Sequence, residues 1–199
     1  MPASPLVLCE SPLTLKVDDG LILRQLTLGD VAEYHQRLND PTTKLRLQEF
    51  LSWPDSEFAL EIIRKYIKEA QENFKAGVAM SILGIFRDDQ VGGSVNLFNI
   101  KKIEGRLEAE MGFFKFFGKN SRKDSLTHPG DVSRCAIALA QYGFKERALD
   151  SIVIRCRPEN TRANQLAVRI HAHHEASESA TESEPAFTRY RLLPEDVGL

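Results

Sequence analysis

Two periods of apolar spacing alternate along the chain. Leu21-Ile22-Leu23-Arg24-Gln25-Leu26 predicts a strand, and Thr27 with Asp30 three residues on has the form of a capping box opening a helix over Val31–Asn39. Asp40-Pro41 stops that helix, because a residue before proline is pushed out of the helical region. After Trp53-Pro54-Asp55-Ser56, Leu60, Ile63, Ile67, Ala70 and Phe74 recur at steps of three and four, one apolar stripe on a helix that ends at Ala76-Gly77. Ala79–Phe86 and Gln90–Asn99 read as strands joined by a tight turn at Arg87-Asp88-Asp89. Arg106–Phe117 reads as an unusually aromatic strand. Gly118–Pro129 is polar and predicts a loop, and Asp131–Arg147 predicts a helix with Ile137, Ala140 and Phe144 on its buried face. Asp150–Arg157 follows as a β-branched strand, then Thr161–Ile170 as a helix and Ala186–Leu193 as a last strand. His171–Pro185, built from His, Ala, Ser and Glu, predicts a solvated loop too polar for a core. Pro2, Pro5 and Pro12 predict an arm over residues 1–20 that lies along the domain or stays loose, with order beginning at Leu21. The expected class is α/β (α+β), one domain over 21–199 with 171–185 as a loop within it.

Composition narrows the function without naming it. A formal charge of -2, from 26 basic and 28 acidic side chains, gives no global pull toward nucleic acid or an anionic membrane. No run of about 18 apolar residues occurs, and the amino terminus lacks the basic and apolar regions of a secretion signal. Cys9, Cys135 and Cys156 are odd in number and widely spaced, which argues against a disulfide framework or a zinc site and for reduced, cytoplasmic surroundings. His171, His173 and His174 lack the spacing of a structural metal site, so no metal is expected.

The order of the joints carries more. The strand LILRQLTLGD, the segment FLSWPDSEFALEII, the strand AEMGFF, the helix end ALAQYGF, then IVIRCRPENTRANQLA and YRLLPED together resemble the GNAT superfamily of acetyl-CoA-dependent N-acetyltransferases, in its RimJ/RimL-type branch. The resemblance spans Leu21 to Asp196. It implies a strongly twisted mixed sheet flanked by helices, in which the strands at Arg106–Phe117 and Asp150–Arg157 splay apart and take the pantetheine arm of acetyl-CoA into the gap. Phe113, Phe114 and Lys115 would line that gap, and Asn160 matches the family asparagine that hydrogen-bonds the arm. The pyrophosphate would meet the N-terminus of the helix at Gly130, Asp131, Val132 and Ser133. The acceptor would be a primary amine, on a protein amino terminus or a small molecule, with Trp53-Pro54 flooring its pocket. A membrane partner is not implied, nucleic acid is an unlikely partner, and a homodimer is compatible with the pattern.

The phosphate loop departs from the family form R/Q-x-x-G-x-G/A. Of His128-Pro129-Gly130-Asp131-Val132-Ser133 only Gly130 matches, and Asp131 adds a negative charge where phosphates are expected. Either Lys119, Arg122 and Lys123 in the preceding loop supply the missing charge, or the site binds cofactor poorly and the chain is a catalytically impaired binding or regulatory protein of the same fold. Ala163 stands where a serine is common, so a hydroxyl near the thiol is missing. Attack of a neutral amine on a thioester needs a base, and Glu108 and Glu110 share one strand face by the period of two. Glu110, in Ala-Glu-Met-Gly, matches the family position better. Tyr142 and Tyr190 are the remaining candidate acids. An RNA-associated modifier using Lys101, Lys102, Lys119, Arg122 and Lys123 ranks last, because stacking aromatics are not interleaved with those lysines.

Overall fold

The computed structural model describes residues 12–51, 58–76, 82–116, 127–181 and 185–199. Its elements in chain order are β1 (Thr14–Asp18), β2 (Leu21–Gln25), a 3₁₀ turn (Leu28–Asp30), α1 (Val31–Leu38), α2 (Pro41–Leu51), α3 (Leu60–Lys75), β3 (Leu83–Arg87) and β4 (Gln90–Ile103). They continue with β5 (Arg106–Lys115), α4 (Asp131–Arg147), β6 (Ser151–Cys156), α5 (Thr161–Arg169), β7 (His173–Glu178), β8 (Phe187–Leu192) and a closing 3₁₀ turn (Pro194–Val197). All eight strands join one sheet in the order β1-β2-β3-β4-β5-β6-β8-β7. Among the described strands only β5 and β6 run parallel; they are bridged by α4, as a parallel pair requires a crossover.

Local chemistry explains most boundaries. The Asp30 carboxylate accepts the Thr27 N–H at 2.7 Å and its hydroxyl at 2.8 Å, the predicted capping contact, and also binds Arg24. Asp88 and Asp89 both hold positive φ, 48° and 64°, the backbone of a two-residue hairpin turn whose twist matches that of the flanking strands. Glu104 (φ 50°) and Gly105 (φ 86°) repeat the device between β4 and β5.

Three expectations change. Asp40-Pro41 ends α1 but also opens α2: the Asp40 carboxylate accepts the N–H groups of Thr42 and Thr43 at 3.0 and 3.2 Å, and proline fits the first helical position because its missing N–H would have no partner there. Order begins before Leu21, since Thr14–Asp18 of the expected arm is an edge strand paired with β2. The expected loop 171–185 contains β7, paired antiparallel with β8.

Two cores flank the sheet. On one face α4 and α5 pack against Leu23, Ile85, Val95, Leu97, Ala109, Ile152 and Ile154. On the other, α1 to α3 cover Leu26, Phe86 and Val91 with Tyr34, Leu38, Ile63 and Ile67. The buried side of α4 is centred on Cys135, Ala136, Leu139, Ala140, Gly143 and Phe144, while Ile137, expected inside, is only partly covered. A Cβ on Gly143 would stand 2.9 Å from Leu149 and 3.0 Å from Leu97, so glycine lets the helix lie close on β4. The thiols of Cys135 and Cys156 are pushed up to about 12 by burial, which makes both packing residues rather than nucleophiles.

Candidate active site

β5 and β6 are paired over three rungs only: Glu108↔Ser151, Ala109↔Ile152 and Glu110↔Val153. Their near end is pinned by Asp150, whose N–H donates to the Leu107 carbonyl at 2.8 Å and whose carboxylate accepts the Leu107 N–H at 2.6 Å. Beyond Glu110 the strands part. Met111–Lys115 stays on β4, opposite Leu97 to Gly93, and Ile154–Cys156 stays on β8, opposite Tyr190 to Thr188. Two strand edges therefore face each other across a gap with no ladder between them, which is the geometry that accepts an extended amide-bearing ligand as a further strand.

The register assigns faces. Val95, Leu97, Ala109 and Met111 belong to the α4 core, so by alternation Asn96, Phe98, Glu108, Glu110, Gly112 and Phe114 face the side of α1 to α3. Phe113 packs on the α4 core and Phe114 on the opposite one, edge-on to Phe116 at 5.5 Å. Lys115, the last residue of β5, is half-buried; burial lowers its pKa, Arg162 lowers it further and Asp131 opposes both.

The two candidate carboxylates differ in their surroundings. Glu108 is 5 % exposed and saturated: Arg191 Nη1 donates to it at 2.6 Å, Arg189 Nη2 lies at 3.5 Å and Ser151 Oγ at 3.4 Å. Those arginines belong to a charged sheet of side chains reaching Glu175 on β7, beside an Arg155–Glu178 pair at 2.8 Å. Glu110, partly buried on the last rung before the gap, has no hydrogen-bond or ion-pair partner among the described residues. A cleft of about 330 Å³ opens nearby between α3 and β4, lined by Tyr66, Glu69, Asn73, Asn96 and Phe98 among others, and Phe98 is the cross-strand partner of Glu110. The cleft was not legible in the sequence, since its walls lie some thirty residues apart.

At the far end of the gap stands the N-terminus of α4. Gly130 holds φ 91°, a left-handed conformation that glycine adopts without strain. Arg134 N–H returns to the Gly130 carbonyl at 2.9 Å and Asp131 N–H to His128 at 3.2 Å, so the helix leaves the N–H groups of Val132 and Ser133 without an intrahelical acceptor. The Asp131 side chain does not confront an incoming anion. It is fully buried and bound by Arg87 at 2.7 and 2.8 Å, by Arg134 at 2.6 Å and by the His128 N–H at 2.7 Å. Burial pushes its pKa up, but these donors outweigh burial and hold it below the ordinary carboxylate range. A carboxylate depressed in the folded state contributes stability above its unfolded pKa of about 3.9, and that contribution is lost as pH falls through the folded value. Thermal unfolding followed from pH 6 downward should therefore show the midpoint dropping below about pH 4, with a shallower drop in Asp131→Asn.

Other expected residues fall as follows. Asn160 caps α5, its Oδ1 accepting the Ala163 N–H at 3.1 Å. Tyr190 is buried on the α5 face and donates to Asn164 Oδ1 at 2.9 Å, so it anchors the turn after β6, where Asn164 also holds the carbonyls of Arg157 and Asn160. Tyr142 packs against the α4 core. His173 pairs with Asp196 at 2.7 Å, His174 stacks edge-on to Tyr190, and the described residues contain no cluster fit to hold a metal. Trp53-Pro54, Lys119, Arg122 and Lys123 lie outside the described residues.

A sheet split between two parallel strands, with a helix N-terminus at one end and a free carboxylate at the other, defines an acyl-transferring enzyme of the acetyltransferase class. The acetyltransferase (GNAT) domain profile matches residues 20–173, and the chain belongs to that family. It is 26% identical to the ribosomal-protein-serine acetyltransferase of Escherichia coli (strain K12) over 156 residues, 78% of this chain and 80% of that protein. Among solved structures it resembles a RimL ribosomal alpha-N-protein acetyltransferase in complex with coenzyme A, at 22% identity, TM-score 0.76 and coverage of 92% of this chain and 99% of that one. It is similarly close to the microcin self-immunity acetyltransferase MccE in complex with acetyl-CoA and AMP, at 20% identity, TM-score 0.76 and coverage of 92% and 97%. No helix among the described residues is long and apolar enough to cross a membrane.

Proposed function

We propose that the chain transfers the acetyl group of acetyl-CoA to a primary amine, on a protein amino terminus or a small molecule, with Glu110 taking up the amine's proton. The observation that carries this reading is the contrast at the closed end of the gap: Glu108 is saturated by arginines, while Glu110 stands unpartnered where the two strands part. The pantetheine arm pairs with the edges Met111–Lys115 and Ile154–Cys156, which places the thioester near the last rung. The pyrophosphate takes the free N–H groups of Val132 and Ser133, with Gly130 and Asp131 shaping the loop, Lys115 beside it and Phe113 and Phe114 fixing the strand. Asn160 Nδ2 donates to an amide carbonyl of the arm.

The acceptor enters by the cleft of Tyr66, Glu69 and Phe98, beside Glu110. Its amine, deprotonated by Glu110, adds to the thioester carbonyl; a β5 backbone N–H stabilises the oxyanion, and the C–S bond breaks to give the amide and the thiolate of coenzyme A. Ala163 offers no hydroxyl and Tyr190 is committed to Asn164, so the thiolate leaves as such and is protonated from solvent. The ribosomal alpha-N-protein acetyltransferases among the relatives favour an amino-terminal acceptor, and the microcin self-immunity acetyltransferase, bound with acetyl-CoA and AMP, keeps a small-molecule acceptor open. Cys135 and Cys156, buried and without a disulfide among the described residues, fit action in the cytoplasm. The test is thiol release from acetyl-CoA across a panel of peptides with free amino termini and of small amines, with mass spectrometry of the products. Turnover on at least one amine with an acetylated product is expected; binding of acetyl-CoA without turnover on any would leave the impaired reading standing.

A further inference from the structure

Asp131 is the residue that most departs from what a phosphate-binding loop should contain, and it is also the most heavily bonded side chain in the site. Its Oδ2 accepts the His128 N–H at 2.7 Å and Arg87 Nε at 2.8 Å; its Oδ1 accepts Arg87 Nη2 at 2.7 Å and Arg134 Nη2 at 2.6 Å. Arg134, on the first turn of α4, is held on its other side by Asp18 at the end of β1. One carboxylate thus ties together the loop before the helix, the helix itself and the end of β3.

The physical consequences point the same way. Two guanidinium groups neutralise the carboxylate, so it exerts little net repulsion on an anion at the helix N-terminus. The bond to the His128 N–H ties the two ends of Pro129-Gly130 together, fixing a turn that glycines at the family positions would otherwise shape by close backbone approach. The first turn is left bordered by cations. Lys115 and Arg162 are close enough to influence each other, and Arg169 Nη1 reaches Ser133 Oγ at 3.5 Å.

We propose that Asp131 is a positioning residue for the cofactor's phosphates: through His128, Arg87 and Arg134 it holds the loop and the first turn of α4 in the shape that receives the pyrophosphate. It does with a side chain what the missing glycines do with backbone freedom. The inference rests on the acetyl-CoA reading above.

The test compares Asp131→Asn with the unchanged protein, using two donors that share the pantetheine arm, acetyl-CoA and acetyl-pantetheine, together with calorimetric titration of coenzyme A. Hydrogen bonds to charged groups are each worth enough that losing the arrangement should weaken coenzyme A binding on the order of tenfold or more. The Kd for coenzyme A and the KM for acetyl-CoA should rise by that factor, and the kcat/KM preference for acetyl-CoA over acetyl-pantetheine should fall by it, with the KM for the amine unmoved. Equal losses on both donors, or an unchanged Kd, would overturn the proposal. If Asp131→Asn does not fold, Arg134→Gln, on a side chain 42% exposed, replaces it with the same donor-selective loss expected and the same overturning results. Should the unchanged protein bind no coenzyme A at all, the acetyltransferase reading itself fails, an outcome distinct from the other two.

Discussion

Glu110→Gln should lower kcat by about a hundredfold or more, the contribution a positioned general base typically makes, while the KM for acetyl-CoA and the thermal midpoint should stay near those of the parent. The separation follows from the surroundings: Glu110 has no partner among the described residues, so glutamine strands nothing, and the proposed cofactor contacts are with the strand edges and the α4 N-terminus rather than with this side chain. Glu108→Gln behaves in the opposite way. It weakens the bonds from Arg191 and Ser151 and lowers the thermal midpoint, with a smaller effect on kcat. Steady-state kinetics with saturating amine and a melting curve distinguish the two. If Glu108→Gln takes the larger loss in kcat and Glu110→Gln is silent, the base has been assigned to the wrong carboxylate.

The second large effect is on stability. Asp131 is fully buried and Arg87 is 11% exposed, so removing either partner alone leaves a charge almost out of reach of water. Asp131→Ala should cost about 3–5 kcal/mol in denaturant unfolding, the range for breaking a buried pair. Arg87→Met should cost less, because Arg134 at 2.6 Å and the His128 N–H at 2.7 Å still hold the carboxylate. The double variant should be less damaged than the two losses summed, because each replacement removes the reason the other is harmful. Strict additivity would mean that the pair is not coupled and that the costs come from packing alone.

How far the sequence could be read depended on the kind of signal each element carries. Strands with one apolar face and helices with one apolar stripe were legible, α3 most clearly, because burial imposes the period directly. β7 gave no such signal: His173–Glu178 is almost wholly exposed, and it is held by pairing with β8 and by ion pairs from Arg155, Arg189 and Arg191 to Glu175 and Glu178. β1 did alternate, with Leu15 and Val17 packed on the core and Thr14, Lys16 and Asp18 outside, but the neighbouring prolines suggested an arm. At Asp40-Pro41 a stop and a start coincide, and the residue pattern signals the stop more strongly than the start.

The candidate site divides along the same line. Glu110 and Asn160 could be placed by position within their elements. Asp131 looks like a liability in the sequence because its main partner, Arg87, lies 44 residues earlier and meets it only when β3 and α4 come together. Arg134, at the i+3 spacing of a helical ion pair, was the one local sign that the charge would be satisfied. The saturation of Glu108 was equally hidden, since Arg189 and Arg191 arrive from the last strand.

The proposed function puts acetyl-CoA in the gap between β5 and β6. Amide hydrogen exchange with and without acetyl-CoA tests this placement, because the strand edges facing the gap and the helix N-terminus are the groups the cofactor would cover. Added acetyl-CoA should slow exchange at Met111–Lys115, Ile154–Cys156 and Val132–Ser133, and leave β1 and β2 unchanged. Unaltered exchange across the gap at saturating cofactor, or slowing confined to another part of the sheet, would contradict it.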